Sequence, residues 1–514
     1  YPHPVDGVRL IQTHISFVFL AGEYVYKVKK PVDFGFLNFT TLRRRRYYCR
    51  REVELNTPLA PGVYLGVARI ARGRDGTVRV GGPGRTVEYA VWMRRLPADR
   101  FLDVLAREGR VAPEELDGLA ERLAAFHAAA PTGRGVDRHG RSRAVRANWE
   151  ENFAQCEPYA GRTLTAEQLA AVRRQVRRFL TAARPLLEAR VREGRVREYH
   201  GDLRGDCICL TDPPVIIDRI EFNRRFRCGD VASEVAFLAM DLEYQGRPDL
   251  ARRFVERYAR AADDPLCLLL VDFYRSYRAW VRGKVESFTL DEPEVEPDAR
   301  AAAGERARRY FDLAVRSAER ALPRPFLLVT CGLVGTGKST LAAAVAEPLG
   351  ALLVRSDVVR KELAGLPPRA GEPVPWGRGL YGPELTERTY AQMLARAGAA
   401  LAAGRPAVLD ATFSQPDQRA AARALAARHG VPFLCVHATL AEAEVRRRLE
   451  ARAADPANVS DARWETYLAQ RERFRPPVEL APQEVVTVDT GRPVREVRDA
   501  VLWALVPRIT QGGR

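Results

Sequence analysis

The stretch Gly332-Leu-Val-Gly335-Thr336-Gly337-Lys338-Ser339-Thr340 constrains this chain more than any other. It fits G-x-x-x-x-G-K-[ST] and is led in by the apolar run Phe326-Leu-Leu-Val-Thr330. Strand, loop and helix in that order let backbone N–H groups turn inward around phosphates. Lys338 then reaches the β and γ oxygens, Ser339 ligates Mg²⁺, and the Ala-rich helix from Leu341 points its positive end at the anion. Gly332, Gly335, Thr336, Gly337, Lys338, Ser339 and Thr340 are therefore the expected nucleotide-binding residues.

At 514 residues the chain is too long for one hydrophobic core, so two or three domains are expected. Its 46% hydrophobic and 29% charged residues are ordinary for globular protein. The eight cysteines form no C-x-x-C pair, which indicates neither a zinc site nor a disulfide framework and favours a reducing cytoplasm. No apolar run approaches the length of a membrane span, and Tyr1-Pro-His-Pro lacks the regions of a signal peptide. The net charge of +17 suits an acidic partner such as ATP or nucleic acid. Lysine occurs only at 27, 29, 30, 284, 338 and 361, so Lys338 stands out against an arginine-rich background. Arg43-Arg-Arg-Arg46 with Arg50 and Arg51 reads as a solvated helix face.

The clearest boundary follows Asp291-Glu-Pro-Glu-Val-Glu-Pro297, after which Ala301 to Leu322 reads as one amphipathic helix stopped by Pro323 and Pro325. Beyond it, apolar runs at 326–330, 351–355, 407–410, 432–436 and 485–488 alternate with helical stretches such as 382–403 and 441–452. That alternation predicts a parallel doubly wound sheet with ligands at the carboxyl ends of its strands. The first part differs. Ile15–Leu20 and Tyr24–Lys29 predict an antiparallel hairpin, a helix bearing Glu52 and Glu54 follows, Val87–Met93 is a further strand, and 113–199 is mostly helical. The expected division is 1–97, 98–322 and 323–514.

In the last segment each strand end delivers a polar group. Ser356-Asp357-Val-Val-Arg360 puts a carboxylate and a guanidinium one helical turn apart, able to take a proton from an acceptor hydroxyl and hold an anionic or polyhydroxylated acceptor. Asp410, after three apolar residues, stands where a Walker B carboxylate holds Mg²⁺. Arg448 and Arg452, ahead of the loop Ala454–Ser460, are placed to close over a transferring phosphoryl group. Together these motifs resemble the small P-loop kinases, of the gluconate and shikimate kinase, polynucleotide 5′-kinase and zeta-toxin types, over about residues 325–510. The resemblance implies Asp357 as general base and Arg360 as a ligand of the acceptor phosphate.

In the first part, His200-Gly-Asp202-Leu-Arg204-Gly-Asp-Cys207 precedes a turn and Val215-Ile-Ile-Asp218. Read as a hairpin, this brings Asp202 and Asp218 to one end, one to orient a hydroxyl and one to bind metal. The segment resembles the catalytic loop of aminoglycoside phosphotransferases, with a likeness over about residues 10–290 that implies a bilobal protein-kinase-like fold. It implies Lys27 as the lysine on ATP phosphates with Glu52 its helix partner, Lys29 competing for that place, 91–97 as the hinge, and Gly229-Asp230 with the helix after it as the structural continuation. Two positions depart from that family. Arg204 stands where it has His, and Cys207 where it has a metal-binding Asn, which weakens the second metal position unless Asp206 or Glu221 substitutes.

The sequence thus predicts an α/β and α+β fusion and an Mg²⁺-dependent phosphotransferase using ATP or another NTP. The C-terminal half is the safer catalyst and the N-terminal half a divergent kinase. The expected acceptor is a small molecule, such as a sugar, an antibiotic or another alcohol. A polynucleotide 5′-hydroxyl is the alternative, although no aromatic stacking platform is evident in the sequence. A further reading is a nucleotide-gated switch whose N-terminal half recognises a partner. No membrane partner is expected.

Overall fold

The computed structural model describes residues 1–367, 382–453 and 463–510. They gather into two compact units. The first holds Tyr1–Arg173, Arg190–Asp263 and Leu270–Ser317; the second holds Arg174–Ala189, Asp264–Leu269 and Ala318–Arg514.

The first unit opens on six strands, β1 (Val8–Gln12), β2 (Ser16–Ala21), β3 (Tyr24–Lys29), β4 (Tyr64–Arg72), β5 (Val78–Val80) and β6 (Arg85–Arg94), in an antiparallel sheet of order β1-β2-β3-β6-β4-β5. The predicted β2–β3 hairpin forms, with Gly22 in the left-handed region (φ 59°) at its turn. Strands β1, β4 and β5 were not predicted. β1 is exposed along its whole length, so no buried alternation marks it, and β4 carries Gly66 at a register irregularity.

The helix Leu42–Asn56 is capped by Thr41, whose Oγ1 accepts from Arg44 N at 3.3 Å. Its inward stripe is Arg45, Cys49, Glu52, Leu55 and Asn56. This corrects the solvated-face reading at one position. Arg43, Arg44, Arg46 and Arg50 are exposed, but Arg45 is buried, its Nε 2.9 Å from Glu88 and its Nη1 donating to the Phe39 carbonyl. Buried arginines need such partners.

The rest of this unit is helical, with short pairs β7 (Val196–Glu198) with β10 (Cys228–Asp230) and β8 (Ile208–Cys209) with β9 (Val215–Ile216). The helix expected at Ala301–Leu322 runs from Pro297 to Arg320. Proline is well suited to a first helical turn, and Pro323 pushes the residue before it out of helical geometry, so the helix both starts and ends earlier.

In the second unit, β11 (Leu327–Cys331), β12 (Leu352–Arg355), β13 (Ala407–Asp410), β14 (Phe433–Thr439) and β15 (Val485–Asp489) form a parallel sheet of order β12-β13-β11-β14-β15. All five expected strands are present. Leu327, Val329, Met393, Leu409, Phe413 and Cys435 belong to its core. β11 and β14 are neighbours whose connections run in opposite directions, to β12 and to β15, so a crevice opens beyond their carboxyl ends. No described helix is long and apolar enough to cross a membrane.

Candidate active sites

The loop after β11 turns on Gly332 (φ 140°), Gly335 (φ 82°) and Gly337 (φ 78°) and enters the helix Lys338–Leu349. All three hold a positive φ that strains any side chain, and at Gly332 and Gly335 a side chain would also collide. A Cβ would lie 2.5 Å from the Ala438 carbonyl at Gly332, 2.9 Å from Val445 at Gly335, and 3.3 Å from Arg448 Nη1 at Gly337. Lys338 is buried and its Nζ donates to the Leu333 carbonyl at 2.6 Å, folding the ammonium back over the loop's concave side. Thr336 is also buried and donates to Leu333 O at 2.7 Å, whereas Ser339 and Thr340 are exposed at the first helical turn.

Two supports of this loop were not foreseen. Thr490 Oγ1 donates to the Thr336 carbonyl at 2.7 Å, and Gln470 Oε1 accepts from Val334 N at 3.0 Å. Both come from more than a hundred residues away, and nothing in the spacing of V-D-T-G-R points back to the loop. Arg448 donates through Nε to Glu444 at 3.0 Å and through Nη2 to the Thr490 carbonyl at 3.0 Å, which fixes its guanidinium beside Gly337. The Arg452 side chain and the loop 454–460 lie outside the described residues.

At the end of β12 the helix Ser356–Leu363 begins, with Asp357 in its first turn. Arg360 Nη1 sits 3.4 Å from Asp357 Oδ1; the Arg360 side chain is 10% exposed and that of Asp357 57%. Asp410, 5% exposed, pairs in register with Arg355 across β12 and β13, and Arg355 Nε is 3.5 Å from Asp410 Oδ2. Sequence reasoning passed over Arg355, although any residue ending a strand of such a sheet faces the crevice. Asp357, Arg360 and Asp410 thus follow neighbouring strands, at the same edge of the sheet as the phosphate loop.

The first unit brings a second set of charges together. Lys27 Nζ lies 2.9 Å from Glu52 Oε1 and 2.8 Å from Asp218 Oδ1. Lys29, two residues along β3 and so on the same face, lies 2.6 Å from Glu52 Oε2 and pairs also with Glu221. Both lysines share Glu52, but Lys29 is the deeper, with 1% of its side chain exposed against 14% for Lys27. Burial would raise the Glu52 carboxyl, and the two ammonium groups outweigh it, holding the group at about 2. Glu221 is raised, because burial there exceeds the help from Lys29.

The His200-Gly201-Asp202 loop is pinned from below. Glu234 accepts from His200 N (2.9 Å) and Gly201 N (2.6 Å) and pairs with His127 Nε2 at 2.9 Å. His200 Nε2 meets the Ile217 carbonyl at 2.7 Å, tying this loop to the residue before Asp218. Asp218 itself sits at φ 65°, its N–H donating to Tyr64 Oη at 3.0 Å. Burial keeps His200 below its ordinary value and therefore neutral near pH 7. Burial would raise Asp202, but Arg204, Arg282, His200 and Arg278 together hold it low. Of the two departures, Arg204 lies 3.5 Å from Asp202 and 3.0 Å from Asp206, and the buried Cys207 thiol donates to the Arg204 carbonyl at 3.0 Å.

A phosphate loop at the switch point of a parallel sheet and a lysine, glutamate and aspartate set over a His-Gly-Asp loop define a kinase, a phosphotransferase assembled from protein-kinase-like and P-loop parts. Residues 47–270 match the Phosphotransferase enzyme family and residues 327–477 match the family described as an AAA domain. The Uncharacterized protein Rv2004c of Mycobacterium tuberculosis (strain ATCC 25618 / H37Rv) is 36% identical over 431 residues, spanning 83% of this chain and 83% of that one. The Uncharacterized protein Mb2027c of Mycobacterium bovis matches to the same extent. The chain belongs to the family of these mycobacterial proteins. Among solved structures it is similar to a gluconokinase from Sinorhizobium meliloti 1021, at 20% identity over 37% of this chain and 95% of that one, TM-score 0.26. A choline/ethanolamine kinase family protein from Mesorhizobium loti matches at 13% identity over 61% and 92%, TM-score 0.37.

Proposed function

We propose that this chain transfers the terminal phosphoryl group of ATP to the hydroxyl of a small molecule, with residues 323–514 as the principal catalyst. Residues 1–97 and 98–322 are, in this reading, the lobes of a divergent kinase. The observation that carries it is the exposed Asp357 carboxylate 3.4 Å from the Arg360 guanidinium, at the edge of the sheet where the phosphate loop also lies. A nucleotide switch would have no use for that pair.

Kinases of these types generally work with ATP and Mg²⁺. The donor set suits a hard cation: Asp410 is a carboxylate at 5% exposure and Ser339 an exposed hydroxyl in the first turn of the loop's helix. Those two would hold the ion, which supplies charge neutralisation between phosphate oxygens when bound. The glycine loop and Lys338 bind the triphosphate, and Arg448 beside Gly337 stabilises charge on the moving group. Asp357 removes the acceptor hydroxyl proton. The freed oxygen bonds to the γ phosphorus, the bond from that phosphorus to the bridging oxygen breaks, and ADP leaves. Arg360 orients the acceptor beside Asp357.

A radiolabelled-phosphate transfer screen over sugars, aminoglycosides and simple alcohols tests this with Lys338→Ala, Asp357→Ala and Asp202→Ala. Transfer is expected to vanish in the first two. Loss in Asp202→Ala alone would move the catalyst to the N-terminal unit, and strong ATP hydrolysis without any acceptor would favour the switch.

A further inference from the structure

We infer that the nucleotide site of the first unit works with one divalent cation, and that the Arg204 guanidinium supplies the positive charge a second cation would bring. This rests on the reading of that unit as a divergent kinase.

Protein-kinase-like sites hold two metal ions, one on the aspartate that Asp218 matches and one on an asparagine of the catalytic loop. Here the second position does not fit a metal. Its residue is Cys207, a soft ligand poorly matched to Mg²⁺, and its thiol is turned inward, 3.0 Å from the Arg204 carbonyl and 3.6 Å from that of Asp202. Neither nearby carboxylate replaces it. Glu221 is 7% exposed and committed to Lys29, which is itself shared with Glu52. Asp206 is committed to Arg204 at 3.0 Å.

What the loop offers in exchange is a fixed cation. Arg204 stands between the two carboxylates of its own loop, Nε facing Asp202 at 3.5 Å and Nη1 on Asp206 at 3.0 Å, with 23% of its side chain exposed. That exposed share of the planar fork is open to a phosphate oxygen. Asp202, Arg204 and Asp206 sum to one negative charge. With a divalent ion in place of the arginine the same two carboxylates would sum to zero, and with both cations present to one positive charge, so the two solutions are alternatives and not additions.

Manganese counting on the full chain decides this. Mn²⁺ replaces Mg²⁺, a β,γ-imido analogue of ATP is present at saturation, and free Mn²⁺ is read by electron paramagnetic resonance. Asp218→Asn is expected to bind one ion fewer per chain than the parent, and the double variant Arg204→Gln/Cys207→Asn one more. A loss of two ions in Asp218→Asn overturns the inference, as does an unchanged count in an Arg204→Gln/Cys207→Asn protein that melts like the parent. No loss in Asp218→Asn is a different failure: the unit then holds no metal–nucleotide complex, and the kinase reading of it falls. In a Lys338→Ala background, which disables the other site, Arg204→Gln is expected to weaken analogue binding about tenfold. Unchanged affinity would remove Arg204 from the proposal.

Discussion

The hydroxyl of Thr490 donates to the main-chain carbonyl of Thr336 at 2.7 Å, so the turn that follows β15 clamps the phosphate loop just ahead of its helix. The same oxygen reaches Thr439 O at 3.1 Å, joining the ends of β14 and β15 to that loop. Replacing Thr490 by Val keeps the shape and removes the donor. The expected cost is about 1 kcal/mol, with ATP binding weakened several-fold and the fold intact; titration calorimetry and a melting curve check both.

Asp357→Asn is expected to lower kcat by about 10² to 10⁴ with little change in KM for ATP, since the carboxylate acts on the acceptor proton and not on the nucleotide. Arg360→Lys should instead raise KM for the acceptor, because an ammonium lacks the planar fork. Steady-state kinetics on both substrates separates the two. A rise in ATP KM alone in Asp357→Asn would contradict the assignment.

Gly335→Ala tests the loop's backbone. The position holds φ 82°, and a Cβ would press to 2.9 Å from Val445 Cγ1 and 3.2 Å from Leu449 Cγ, both in the core beneath. Strain of about 1–3 kcal/mol is expected. Nucleotide affinity should collapse while the N-terminal unit melts as before.

Glu52 is the acid on which two lysines converge, and its pH behaviour follows from that. Its carboxyl is held at about 2 against an ordinary 4.5, so its contribution to stability is complete above the ordinary value and is lost as pH falls toward 2. Glu221, raised in the fold, has the opposite slope: its contribution weakens as pH rises through its shifted value. Glu52→Gln should destabilise the chain by about 3 kcal/mol, because two buried ammonium groups lose their shared partner. It should also flatten the acid limb of a stability profile between pH 4.5 and 2, measured by denaturation at each pH.

Much of this was legible in order and spacing. The five parallel strands announced themselves as apolar runs, since a strand covered on both faces has no polar side to interrupt it. The phosphate loop and Asp357 beside Arg360 could be read because each lies within a motif, whereas Lys27 with Glu52 came only from the resemblance to aminoglycoside phosphotransferases. What could not be read came from long range. Thr490 follows β15, Gln470 sits on the helix Trp464–Arg473 and Arg355 pairs across the sheet with Asp410, and no local pattern encodes partners so far along the chain. Strand β1 escaped because it buries nothing. Arg45 was misread because an arginine on a charged helix looks solvated until Glu88 and two carbonyls are seen around it. The shared use of Glu52 by two lysines likewise needed coordinates, since alternation along β3 allows either lysine and the fold uses both.

Thr330 gives the parallel sheet a property that outlasts any one ligand. Its Oγ1 accepts from Ala411 N at 3.1 Å and donates to Ala411 O at 2.9 Å, so a side chain imitates a neighbouring strand one step beyond Asp410. The rung it adds means that selection at 330 acts on a hydroxyl and not on bulk. Serine would be admitted there and valine refused, even though valine is the better strand former and fits the hole.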